Sequence, residues 1–165
     1  MKAKLTLNEK EYEVEINEEQ VKEIEKPKYK RWRAEKYKTY CSTDSDGTTC
    51  MYTDFGDVID NFLYSIGNYF KTKEEAEFRR QQSLYLQQYK DFIGEDIPTK
   101  GDWKDDSKTK YYACYDHHDN FLDISCSFVC EIQGVIYSNS KEKIENFIEE
   151  IGEDNFKKYI LEMEE

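Results

Sequence analysis

The sequence predicts an α+β fold: an antiparallel sheet built from two pseudo-repeated strand–strand–strand–helix units and packed with helices, preceded by a β-hairpin and a short helix. Three observations predict it. Runs rich in Tyr, Thr and Cys alternate with Gly- and Asp-containing turns, the pattern of short antiparallel strands. Two stretches place apolar residues at helical spacing behind a Thr or Ser cap. The order of these features in the first half recurs in the second.

Taken in order, Ala3, Leu5 and Leu7 and then Tyr12, Val14 and Ile16 alternate across Asn8-Glu9-Lys10, which reads as a hairpin. Asn17 is placed as an N-cap with Gln20 in the capping-box position. Val21 and Ile24 then give a short helix an apolar side, and Pro27 ends it. This sets a hairpin–helix unit at 1–27 ahead of an α+β domain at 28–165. From Tyr29 to Thr53 the residues favour strands, with Asp44-Ser45-Asp46-Gly47 as a tight turn between 37–43 and 48–53. Further β character is expected over Phe62–Phe70, interrupted by Gly67. Thr72 and Glu75 then open a helix that runs toward Ile93 through Phe78, Tyr85, Tyr89 and Phe92. That closes the first pseudo-repeat at 28–93.

Residues 94–109, with Gly94, Pro98 and Gly101, read as a linker. The second pseudo-repeat, 110–165, begins with strands at Tyr111–Asp116 and Phe121–Glu131. Gly134 then precedes Val135-Ile136-Tyr137 as Gly67 precedes Asn68-Tyr69-Phe70, and Ser140 takes the place of Thr72. Ile144, Phe147, Ile148 and Ile151 stand at i, i+3, i+4 and i+7, and Gly152 closes that helix. A last short helix follows over Glu153–Leu161.

Composition bounds the function classes. The apolar share is only 38%, but fourteen Tyr, nine Phe and two Trp among 165 residues supply the area for a core. A net charge of −12 opposes direct attraction to nucleic acid or anionic membrane. It suits the reverse role, in which carboxylates enter a partner's basic groove. There is no apolar run of about 20 residues to span a membrane and no signal-peptide h-region after Met1. Five cysteines at irregular spacing read as reduced thiols, so the expected location is cytoplasmic.

No pattern for catalysis is present. The chain lacks a Gly-rich phosphate loop, a G-x-S-x-G elbow and an H-E-x-x-H motif, so we expect no enzyme, no catalytic residues and no cofactor. Cys114, His117, His118, Cys126 and Cys130 invite a zinc reading, but their spacing is not that of paired zinc knuckles. Cys126 and Cys130 would stand about 13 Å apart on an extended strand, and no metal site is expected. Cys41 and Cys50 flank the first hairpin turn and are expected to face each other.

Two charged features remain as candidate binding surfaces. Residues 26–38 hold seven cations against Glu35, a net +6 that leaves −18 on the rest of the chain. Within it Lys30, Arg31, Trp32, Arg33 and Tyr37 interleave cations with rings, as phosphate-plus-base binding requires. An edge strand guarded by cations would show the same composition. The acidic candidates are Glu18, Glu19, Glu23, Asp57, Asp60, Glu149, Glu150, Glu153 and Asp154, carboxylates able to imitate the charge spacing of a nucleic-acid backbone. A solvated face is the plainer reading of such runs.

The run Lys30-Arg31-Trp32-Arg33-Ala34-Glu35, the segment Ile66-Gly67-Asn68-Tyr69-Phe70-Lys71-Thr72-Lys73-Glu74-Glu75-Ala76-Glu77, and the Lys110-Tyr111-Tyr112 strand leading to the Ile144–Ile151 helix carry a resemblance. Over about residues 28–152 the chain resembles small proteins encoded by phages and prophages of low-GC Gram-positive bacteria. Asn-Tyr-Phe-Lys-Thr is the specific part. The resemblance implies a setting in a host cell and transfers no site residue. In that setting the leading expectation is a non-catalytic inhibitor of a host antiviral defence protein, of anti-CRISPR or anti-restriction type. Its acidic surface would occupy that protein's nucleic-acid-binding site. The alternatives are a protein that sequesters nucleotides or immune messengers through 29–37, with a homodimer as a further expectation, and a phage structural or accessory protein.

Overall fold

The computed structural model describes residues 2–7, 10–15 and 31–163. The chain divides into two compact units, Met1–Arg33 and Ala34–Glu165. The α+β class holds: strands pair as antiparallel hairpins, and helices carry half of the buried apolar residues among those described.

In the first unit β1 (Lys2–Leu7) pairs antiparallel with β2 (Lys10–Glu15). The register sets Ala3 opposite Val14 and Leu5 opposite Tyr12, so apolar positions stand together, while Lys2 and Lys4 stand opposite Glu15 and Glu13. The helix expected between Asn17 and Pro27 lies outside the described residues.

The second unit opens differently from expectation. Residues 31–38 form no strand, and β3 (Thr39–Thr43) begins only after a turn in which Tyr37 adopts a left-handed backbone, φ 68°. Its partner β4 (Thr49–Thr53) is joined to it through Gly47, φ 85°, whose amide donates to the Asp44 carbonyl at 2.9 Å. The register pairs Cys41 with Met51 and Ser42 with Cys50. Cys41 and Cys50 are therefore offset by one residue and lie on opposite faces of the hairpin, because successive side chains alternate. The expectation that they face each other is corrected.

A second correction concerns 62–70. Val58–Ile66 is a helix, α1, not a strand. Asp57 caps it, accepting from the Ile59 and Asp60 amides, and Asp60 reaches back in a capping box. It ends at Gly67, φ 86°, where the Asn68 amide donates to the Leu63 carbonyl and the Gly67 amide to that of Tyr64. Such start and stop chemistry outweighs the strand preference of Phe62 and Tyr64. Beyond it the chain returns to β3: Asn68 bonds both backbone groups of Thr43, and Phe70 and Cys41 exchange amide bonds at 2.8 and 2.9 Å.

Thr72 then caps α2 (Lys73–Ile93) as expected, accepting from the Glu75 amide at 3.1 Å. The stretch 94–109 holds a 3-10 turn at Gly94–Asp96 and a capped helical turn, α3 (Lys100–Trp103). It is anchored, since Lys143 donates to the Ile93 carbonyl and pairs with Asp96.

The later half repeats the plan. β5 (Lys110–Asp116) pairs with β6 (Phe121–Ser127), and Tyr111 exchanges amide bonds with Ser138. Ser140 caps α4 (Lys141–Ile151) two residues on, as Thr72 stands two residues beyond Phe70. The bridging residue is thus Ser138, one position past Tyr137. That register matches Tyr137 with Tyr69, both 4% exposed. β3–β4 and β5–β6 remain separate two-stranded sheets, each extended by one such bridge. A helical turn and a π-helical turn, Phe156–Ile160, finish the described chain.

The main core joins α2, β5, α4 and the last turn through Tyr89, Ile93, Ala113, Ile144, Phe147 and Phe156. Tyr89 stacks on Phe147 at 4.8 Å and meets Phe156 edge-on at 5.4 Å, the offset geometries rings prefer. A smaller core holds Ala34, Tyr40 and Tyr69, the two tyrosines stacked at 3.9 Å.

Candidate functional site

The expected acidic residues do not form one surface. Glu18, Glu19 and Glu23 lie outside the described residues. Asp57 is exposed but engaged in capping α1. Asp60 is only 4% exposed and is corrected from a surface residue to a core one. It accepts from the Tyr40 hydroxyl at 2.8 Å and from the Phe55 and Asp57 amides. Burial opposes its ionisation, yet these donors hold its carboxyl below the usual range. Asp54 beside it is likewise buried and accepts from the Tyr69 hydroxyl at 2.7 Å. The pair of carboxylates serves the smaller core.

Glu149 and Glu153 do meet in a built feature. β6 and α4 flank a groove of about 480 Å³, floored by Leu122, Ile124 and Ile148. Around that floor stand Glu145 and Glu149 from α4 and Glu153 just beyond Gly152, while Asp123 lines the edge along β6 with its carboxylate alternating to the face opposite Leu122 and Ile124, beside Cys114. Glu145 and Glu149 stand at i and i+4, so helical geometry sets these two carboxylates along one side of α4. Gly152, φ 83°, ends α4 without removing Glu153 from the rim.

Lys141 pairs with Glu145 at 3.3 Å and Lys157 with Glu153 at 2.5 Å. Among the described residues no cation is paired with Glu149, so the groove keeps a negative surplus over an apolar floor. Glu150 and Asp154 are exposed on the adjoining surface and do not line it. Glu145 had no signal in the sequence beyond general acidity, because tertiary packing alone sets it beside the β6 floor.

The groove offers docking chemistry. Its described lining contains no thiol, hydroxyl or imidazole, and its charged groups are carboxylates and Lys141. Elsewhere, burial pushes the thiols of Cys41 and Cys114 up, and a hydrogen bond to Asp44 raises that of Cys50. Those sulfurs are held as thiols, the unreactive form. His117 and His118 lie in the exposed turn between β5 and β6, where His118 Nδ1 meets Asp119 at 2.7 Å. Among the described residues no group of three or more His, Cys, Asp or Glu is placed to hold a metal ion. No described helix is long and apolar enough to cross a membrane.

The basic segment divides between the units. Lys30 lies outside the described residues, Arg31, Trp32 and Arg33 belong to the first unit, and Tyr37 to the second. Since 31–38 is not a strand, the alternating faces expected for it do not arise. Tyr37 is 66% exposed, with Lys36 Nζ 5.2 Å from its ring centre and Phe55 edge-on at 6.2 Å. Its left-handed backbone is an uncommon conformation for a tyrosine.

Comparison with family models, with curated proteins and with solved structures finds no match to this chain.

Proposed function

We propose that the chain is a non-catalytic, phage-type binding protein that inhibits a host antiviral defence protein, of anti-CRISPR or anti-restriction kind, by occupying its nucleic-acid site. The observation that carries this reading is the β6–α4 groove, where Glu145, Glu149 and Glu153 stand around an apolar floor. Nucleic-acid clefts are lined by Lys and Arg. A basic amphipathic segment from such a cleft would place cations against the carboxylates and its aliphatic stems on Leu122, Ile124 and Ile148. The charge surplus speeds encounter, and the floor supplies salt-independent contact.

The test is phage plating on host cells that carry a CRISPR nuclease or a restriction endonuclease. Expression of the chain restores plating, and the Glu145→Lys/Glu149→Lys double variant, reversing two rim charges of α4, abolishes the rescue. Failure to restore plating against any defence system refutes the proposal.

A second reading rests on Tyr37. An exposed ring on a strained backbone, attended by Lys36, is suited to stacking on a base. Calorimetry with cyclic and linear nucleotides would show heat that Tyr37→Ala removes. Absence of heat with every nucleotide retires it.

A further inference from the structure

Helix α1 is apolar on two opposite sides. Its inner side buries Asp60 and packs Leu63 and Tyr64 against Tyr40 and Tyr69. Its outer side carries Val58, Ile59, Phe62 and Ile66, exposed by 83, 67, 58 and 56%. At 3.6 residues per turn these four fall within an arc of roughly 100°. Phe55, 57% exposed, precedes them, and the exposed Tyr37 sits edge-on to it. A helix apolar on both sides is ordinarily covered on both sides.

We propose that the outer face of α1 is the seam of a homodimer, a second copy of this chain supplying the missing layer. Charge selects the occupant. In a chain that is 36% charged, the only carboxylate between Val58 and Ile66 is the buried Asp60, and no cation lies there. Homodimer contacts are the apolar, charge-depleted class of interface, whereas transient partners meet surfaces resembling the rest of the protein. Two molecules of net charge −12 also repel, and α1 offers a contact that brings no carboxylate against carboxylate.

Area agrees. The five exposed apolar side chains offer roughly 500 Å², at the upper end for the largest patch on a monomer. With Tyr37 and the polar margin of Asn61 and Ser65 this approaches the ~800 Å² each partner buries in a stable interface. A two-fold axis through the seam makes it self-complementary. Phe62 lies mid-stripe, where the two copies of the helix cross.

Sedimentation equilibrium of the full chain from about 1 to 200 µM spans the range in which such an interface assembles. The expected result is a species of twice 19.8 kDa. Phe62→Asp and Ile59→Asp each weaken association by at least about 100-fold with far-UV circular dichroism unchanged, since each places a carboxylate in the seam of both copies. Phe62→Leu keeps the dimer. Added salt leaves the dimer intact or strengthens it by screening the mutual repulsion, opposite to its effect on a complex held by the acidic groove. A wild-type monomer across the whole range, or a dimer that Phe62→Asp leaves unchanged, overturns the proposal.

Discussion

Lys110 is fully buried, and its ammonium donates to three backbone carbonyls: Asp105 at 2.9 Å, Lys108 at 2.8 Å and Phe128 at 2.7 Å. It also lies 5.3 Å from the centre of the Trp103 ring. One side chain thus ties the loop before β5 to the chain leaving β6. Lys110→Met keeps length and volume but removes every donor. Each carbonyl left buried without a partner costs about 1–3 kcal/mol. Taking the middle of that range for three carbonyls, about 6 kcal/mol, and subtracting about 3 kcal/mol for relief of the ammonium's own desolvation leaves a net destabilisation of about 3 kcal/mol. For a chain of this size each kcal/mol moves the Tm by about 2–4 °C, which puts the expected fall near 10 °C. Urea unfolding followed by circular dichroism reads the same quantity as a lower midpoint at constant slope. A variant within about 1 kcal/mol of wild type would refute the reasoning, because it would mean that the three carbonyls reach water once the ammonium is gone.

Other groups make further expectations. The Tyr89 hydroxyl is buried with no hydrogen-bond partner among the described residues, and burial pushes its pKa well above the ordinary phenol value. Tyr89→Phe, which keeps the stacked ring, should therefore stabilise the protein by about 1 kcal/mol; a clear loss in the urea midpoint would count against an unpartnered hydroxyl. Glu77 accepts from Arg80, Gln81 and Thr49, and the Arg80 guanidinium above all holds its carboxyl down at about 2. Stability from that group is present above its ordinary 4.5 and is lost as pH falls from there through about 2. Wild type should then lose more of its urea midpoint between neutral and acid pH than Glu77→Gln does, and equal losses would contradict the assignment.

Local chemistry was readable where it is complete in itself. Thr72 with Glu75, and Ser140 with the Ile144–Ile151 spacing, announced α2 and α4 because cap and stripe lie within a few residues of one another. The Asp-Gly turn set the β3–β4 hairpin for the same reason. Helix α1 was missed although Asp57, Asp60 and Gly67 carry its start and stop, since its aromatic residues weighed toward a strand. Long-range partners were hidden altogether. Asp60 reads as a surface carboxylate until Tyr40, twenty residues away, is folded onto it. Lys110 looks like a solvent-facing strand lysine until the Phe128 carbonyl closes over it. In the groove, Glu149 and Glu153 were legible as acidic helix positions. Glu145 joined them, and the floor of Leu122 and Ile124 came beneath them, only through the packing of β6 on α4.

The groove's role as a cradle for cations is tested most directly by fluorescence anisotropy of a Lys/Arg-rich amphipathic peptide titrated with the full chain across a range of salt concentrations. Affinity is predicted to fall steadily as salt rises, and Glu145→Lys/Glu149→Lys to weaken binding and flatten that dependence. A peptide bound equally well by the charge-reversed protein, or with an affinity indifferent to salt, contradicts the account.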